Sequence, residues 1–215
     1  MRALARKNTP VPPAKFRFSC FSQNFWFHLS TAEMNHRKDI YVERLGLIPL
    51  SEEGGYFRET YRSPETVQVE DREGGYRSLF TTIYYLLVPE LGGKNYFHSN
   101  KSDITHYFQD GWPAKYIYIT PEGEIKEFIL GRDILKGHVL QLRVPGNCLK
   151  AAKILIDDAG DYAKFPGEEP FTLISEEMSP GFDYRDRYVP AAPEVKATYA
   201  ESWLKLEEYC APCEE

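Results

Sequence analysis

The sequence predicts an all-β domain, a sandwich or jelly roll, with a short helix leading in and another following it. Aromatic residues make up 14% of the chain, with 15 Tyr, and flat, stiff side chains suit a pleated surface. Strand-sized segments recur at close spacing between turn signals. No helical pattern long enough for a βαβ unit separates them. At 215 residues the chain is long enough for one domain with extensions.

Residues 1–33 stand apart. Arg2, Arg6, Lys7, Lys15 and Arg17 are basic, the first acid is Glu33, and Pro10, Pro12 and Pro13 discourage regular structure. A basic, acid-poor start matches either a mitochondrial transit segment or a disordered, even untranslated, extension with Met34 as the start. The domain is expected over 34–193, and a C-terminal helix with an acidic tail over 194–215. From Asn35 to Leu47, Ile40, Val42, Leu45 and Leu47 alternate with charged residues in helical fashion, and Pro49 closes the helix.

Residues 55–62 read as a strand with Tyr56, Arg58 and Thr60 on one face and Phe57, Glu59 and Tyr61 on the other. GGYRSLFTTIYYLLV reads as one strand buried on both faces. Shorter strands follow at Asn95–His98, Ile104–Phe108, Lys115–Ile119, Ile125–Leu130, Val139–Val144, Leu149–Ile156 and Phe171–Met178. Turn clusters such as Gln109-Asp110-Gly111, Pro121-Glu122-Gly123 and Pro145-Gly146-Asn147 punctuate them. After Pro193, Tyr199, Trp203 and Leu206 fall at helical spacing and predict a packing stripe.

A formal charge of -6 and a pI near 5.5 argue against nucleic acid as a partner. The apolar runs are strand-sized, so no membrane span is expected and the predicted location is cytoplasmic, or mitochondrial through residues 1–33. The four cysteines Cys20, Cys148, Cys210 and Cys213 do not make a disulfide framework. Cys210 and Cys213 have redox spacing but follow a helix rather than start one.

Several ordered motifs carry a family resemblance. EGGYFRETYRS at Glu53 to Ser63 is followed by TTIYYLL at Thr81 to Leu87, FH at Phe97 to His98 and SD at Ser102 to Asp103. Then come LG at Leu130 to Gly131, VP at Val144 to Pro145, AA at Ala151 to Ala152 and SPGFDYRD at Ser179 to Asp186. Over about Leu45 to Arg187 the chain resembles the uncharacterised EGGYFRETYR-type cupin family. The resemblance implies a double-stranded β-helix, the cupin jelly-roll barrel, usually a homodimer, with a ligand cavity and no established reaction. Cupins at large converge His and Glu side chains from two stretches, here Gly93–Gly111 and Gly137–Ala152, on a divalent metal.

This chain departs from that pattern. His98 keeps the leading position, but Asn100 stands at the second His position, Ile104 at the carboxylate position, and Pro145 to Lys150 contains no His. Within the family's first stretch, Ser99, Ile104, His106 and Tyr107 stand where Arg, Glu, Trp and His are typical. A lone imidazole holds a metal poorly, so no metal cofactor is expected, with a His98–His106 site as the alternative. On a strand, His106 shares a face with Ile104 and Phe108, opposite Thr105 and Tyr107.

The candidate proton-transfer groups are therefore His98, His106 and Tyr107. Tyr56, Arg58, Lys115, Gln141 and Arg143 are candidate contacts for an anionic or sugar-like small molecule. Arg58 and Glu59 cannot both point inward, and Gln141 and Arg143 enter or leave the pocket together. The expected function is small-molecule binding at a degenerate metal site. The alternatives are a metal-independent sugar or nucleotide-sugar isomerase or epimerase, and a metal-dependent oxygenase or isomerase.

Overall fold

The computed structural model describes residues 36–50, 52–156 and 168–212. The expectations for residues 1–33 and for Cys213 lie outside them. Helix α1 (Arg37–Leu45) is stopped by Gly46 at φ 62, a left-handed C-cap that glycine adopts without strain. Among the described residues thirteen strands follow: β1 (Ile48–Pro49), β2 (Tyr56–Arg62), β3 (Thr66–Gln68), β4 (Tyr76–Ser78), β5 (Thr81–Leu87), β6 (Lys94–Asn100), β7 (Asp103–Gly111), β8 (Ala114–Ile119), β9 (Ile125–Leu130), β10 (Gln141–Val144), β11 (Leu149–Ile154), β12 (Thr172–Ser179) and β13 (Arg187–Tyr188).

They form a jelly-roll sandwich. A six-stranded sheet in the order β1-β2-β5-β12-β7-β10 faces a five-stranded sheet in the order β13-β6-β11-β8-β9. The named strand pairs are antiparallel. Side-chain parity decides what each strand sends inward. On β12, Ile174, Glu176 and Met178 lie opposite Phe108, His106 and Ile104 of β7. The main core includes Leu87, Tyr116, Leu142, Val144 and Ile174. A second cluster lies on the outer side of the five-stranded sheet, where Phe97, Ile117, Ile119 and Ala151 pack against Val195, Leu206 and Tyr209.

Three sequence expectations change. The run from Gly74 to Val88 is two strands, because Leu79 and Phe80 break it into β4, which pairs with β3, and β5. The C-terminal helix is segmented: α2 (Ala192–Thr198) and α3 (Trp203–Leu206) are separated by a 3-10 turn at Ala200–Ser202, and another turn follows. The breaks bring Val195, Leu206 and Tyr209 onto one barrel surface, so apolar burial rather than helical continuity decides the path. On β2 a bulge between Glu59 and Tyr61 shifts the register, pairing Glu59 with Ile83 but Arg62 with Thr81. Tyr61 thereby moves to the outer face, 48% exposed, and Arg62 joins Glu59 on the inner one.

The segment entering β13 is clamped. Arg77 donates to both carboxylate oxygens of Asp186 at 2.8 and 2.7 Å, and Arg72 adds a contact at 3.2 Å. Among the described residues, no helix is long and apolar enough to cross a membrane.

Candidate functional site

A cavity of about 310 Å³ lies between the two sheets. The six-stranded sheet gives it an apolar wall from Phe57, Ile83, Ile104 and Met178. The opposite side is polar: His98 and Asn100 of β6, Arg187 of β13, and Glu53 before β2. Glu176, Thr81 and, toward the rim, Glu59 and Arg62 are the polar residues that the six-stranded sheet adds. At the rim, the Arg62 guanidinium is fixed by Glu59 at 3.0 and 2.6 Å and by the Phe182 carbonyl at 2.8 Å.

Two buried chains of polar groups meet here. In the first, His98, 2% exposed, donates from Nδ1 to the Tyr96 carbonyl at 2.8 Å. That bond assigns the proton to Nδ1 and leaves the Nε2 lone pair facing Glu53, 3.4 Å away. Glu53 is in turn held by Arg187 Nε, and Arg187 Nη1 reaches Glu52 at 2.6 Å. Burial pushes the His98 imidazole down to about 4, against the pull of Glu53. Burial pushes the Glu53 carboxyl up, but its coupling to His98 and the charges of Arg187 and Lys150 together outweigh it and hold the group low.

In the second chain, Lys150 Nζ donates to His106 Nε2 at 3.0 Å, and His106 Nδ1 donates to the Leu142 carbonyl at 3.3 Å. The Tyr116 ring meets the imidazole edge-on at 4.9 Å. Glu176 Oε1 stands 3.8 Å from Lys150 Nζ and 3.5 Å from His106 Nε2. Burial, then Lys150, drives the His106 imidazole well below its ordinary value. Burial raises the Glu176 carboxyl, with Lys150 opposing and Glu53 adding to the rise. Lys150 and His98 are direct partners on β11 and β6, so the two chains sit side by side.

Of the sequence candidates, His98 and His106 point inward. Tyr107 does not: it lies on the outer face of β7, the parity opposite to His106. Tyr56 is half-buried against the main core, while its neighbour Phe57 lines the cavity. Arg58 points away and donates to the Leu45 carbonyl at 2.7 Å, at the end of α1. Lys115 pairs with Glu127 at 2.6 Å outside the barrel. Gln141 is exposed and Arg143 binds Asp103 at 2.5 Å, both outward because Leu142 and Val144 fill the inner face of β10.

The residues that replace them as site candidates are Glu53, Asn100, Lys150, Glu176 and Arg187. Glu176 was legible, since it shares strand parity with Ile174 and Met178. Asn100 likewise shares a face with His98. Glu53 and Arg187 carry no such signal, because one lies before a strand and the other on a two-residue strand at the sheet edge.

The family model described as Cupin superfamily (DUF985) matches residues 39–189. The chain belongs to this cupin family. An uncharacterized protein of Saccharomyces cerevisiae, YML079W, is 40% identical over 143 residues, 62% of this chain and 66% of the yeast protein. Among solved structures, a hypothetical protein from Leishmania major is similar at 27% identity and a TM-score of 0.70, covering 83% of this chain and 100% of its own. Protein SO0799 from Shewanella oneidensis is similar at 26% identity and a TM-score of 0.68, covering 84% and 100%.

Within this cupin the donor set does not fit a divalent metal. Ile104 points inward at the carboxylate position with nothing to coordinate. The Nε2 lone pair of His106, which a metal would need, already accepts from Lys150. The buried ammonium, 2% exposed as a residue, would also repel a second cation. Among the described residues, no group of three or more His, Cys, Asp or Glu side chains is placed to hold a metal. The alternative of a His98–His106 metal site therefore loses its second ligand.

Proposed function

We propose that this cupin binds a small organic molecule inside the barrel without a resident metal ion. One observation carries the reading: an apolar-walled cavity into which His98, Asn100, Glu53, Glu176 and Arg187 converge, with a buried ammonium standing behind them. Small-molecule sites have this composition, apolar walls with a few placed polar groups. The cavity is at the small end of the usual range, about 300 to 1,000 Å³.

A second reading, metal-independent isomerisation or epimerisation, is favoured by the protonation pattern. His98 is neutral with a lone pair on Nε2, and Glu176 on the facing sheet is a carboxyl whose hold on a proton burial raises and Lys150 opposes. A base and an acid on opposite walls are what proton transfer at a bound carbon requires. Tyr107 has no part in it.

Both are tested by thermal shift against sugars, nucleotide sugars and hydroxy acids, in EDTA and with divalent metals. A ligand at about 100 times its Kd adds about 2.7 kcal/mol of stability. The expected hit stabilises the wild type equally in EDTA and fails on a folded His98→Ala variant. A hit that needs added metal would defeat the first reading. Deuterium incorporation from solvent into the recovered hit supports the second, and its absence removes it. On the family resemblance alone, the chain is proposed to be a homodimer, which sedimentation equilibrium measures.

A further inference from the structure

The carboxylates of the cavity lining are matched by hydrogen-bonded cations, with Glu176 as the exception. Glu53 accepts from Arg187 Nε, Glu59 from Arg62 at 3.0 and 2.6 Å, and Asp183 from Arg185 at 2.8 and 2.6 Å. Glu52, outside the lining, takes a further Arg187 nitrogen at 2.6 Å. Asn100 Oδ1 and Arg187 Nη2 also lack partners, but both are sealed inside the wall. No described residue donates to Glu176. The Lys150 ammonium that balances its charge is 3.8 Å away, beyond hydrogen-bond length. His106 Nε2, at 3.5 Å, accepts from Lys150 and has no proton to give. The Tyr85 hydroxyl is committed to the Gly54 carbonyl. The Glu176 side chain is not sealed, however: it keeps 12% of its surface and lines the cavity.

We infer that Glu176 is the recognition group of the cavity, and that the ligand is a neutral molecule offering it two adjacent hydrogen-bond donors, either neighbouring hydroxyls or a pair of N–H groups on one edge. A buried carboxylate without donors is costly, and its two oxygens side by side accept a pair of donors from one partner. Ionised, as the Lys150 ammonium favours, Glu176 presents acceptors only. His98 adds another acceptor from the facing sheet, since Nδ1 is spent on the Tyr96 carbonyl and the Nε2 lone pair is left. A ketone or a carboxylate would therefore turn lone pairs toward lone pairs. An ammonium donates, but it brings a second cation to a carboxylate that Lys150 already balances. Ile83 lies beside Glu176 on β5, and Met178 and Ile104 follow one step along the same inner face. The skeleton that carries the donors thus meets an apolar surface.

The inference rests on the first reading above, small-molecule binding, and takes Glu176 as an acceptor rather than an acid. Two probes offer paired neutral donors: a vicinal cyclohexanediol through its hydroxyls, and isocytosine through a ring N–H and an amino group on one edge. Cyclohexanone, cyclohexanecarboxylate and cyclohexylammonium are the comparisons, and binding is measured by ligand-observed NMR titration on the full chain. The wild type is expected to bind at least one paired-donor probe about tenfold or more tighter than all three comparisons, because a site built to accept hydrogen bonds rejects a ligand that leaves it unpaired. Which of the two binds tells hydroxyl from N–H donors. Glu176→Asp keeps the charge beside Lys150 and withdraws the oxygens from the cavity, so it is expected to lose that preference. If Glu176→Asp does not fold, Glu176→Gln takes its place with the same expectation, since its amide offers one acceptor instead of two. A wild type that prefers the ketone, the carboxylate or the ammonium overturns the inference, as does a folded variant that keeps the wild-type preference. If neither paired-donor probe binds but another small molecule from the thermal-shift panel does, the inference is refuted and the binding function stands. If nothing binds, both fall.

Discussion

Replacing His98 by Asn should flatten the acid limb of this protein's stability curve. The folded-state value for His98 is pushed from 6.5 down to about 4 by burial. Between those values the unfolded chain binds a proton that the folded chain does not, so stability rises with pH and is lost as pH falls through the window. Integrating one site with these two values gives a loss of about 2.5 kcal/mol between about pH 7.5 and about pH 4.5. Asn cannot titrate there, and its amide can still donate to the Tyr96 carbonyl that fixes the imidazole. His106 shifts the same way and is pushed down in part by His98, so in the variant its own acid-side loss is smaller, which adds to the difference in the same direction. The groups facing His98 are Glu53, Lys150 and, through Glu53, Arg187. Glu53 is held low, so its own contribution is present above its unfolded value and lost as pH falls through its folded one. Urea unfolding of wild type and His98→Asn across this range is the assay. The stability advantage of wild type should shrink by about 2.5 kcal/mol toward the acid end. Parallel curves, or a His98 resonance titrating near 6.5 in the folded protein, would refute the desolvation argument.

Lys150→Met should raise the His106 imidazole and raise Glu176 further, since the ammonium opposes protonation of both; histidine NMR titration reads the first. Its cost in urea unfolding is expected at about 2 kcal/mol, below that of an irreplaceable buried ion, because Glu176 can take up a proton. Asp186→Asn leaves Arg77, 1% exposed in its side chain, with only Asp183, 3.9 Å from Nε, as a carboxylate partner; a loss of about 3 kcal/mol in urea unfolding follows, the low end for a broken buried pair. Arg58→Ala removes one exposed contact to the end of α1 and should cost under about 1 kcal/mol while leaving ligand affinity unchanged. Extended dialysis against EDTA should leave the melting temperature where it was, measured by calorimetry.

By itself the amino-acid pattern determined an all-β domain, a sandwich or jelly roll. Alternation and turn residues are local properties, and they place the principal strands within a few residues of β6, β7, β8, β9, β10 and β11. The same parity put His106 and Ile104 on one face and Tyr107 on the other, and kept Gln141 and Arg143 together. The resemblance in the EGGYFRETYR and SPGFDYRD segments identified the family, and missing ligand types at Ile104 and after Pro145 were visible as residue identities. Parity cannot say which face of a strand is the inner one, and for that reason Tyr107, Tyr56, Arg58, Lys115, Gln141 and Arg143, all candidates from the sequence, lie away from the cavity. Nor can it foresee a bulge, and the one after Glu59 turns Arg62 inward. The partnership of Glu53, Arg187 and Asn100 joins residues far apart in sequence through the pairing of β13 with β6. Only tertiary structure decides that, because an ion pair or an unmet hydrogen-bonding atom is a relation between positions in space.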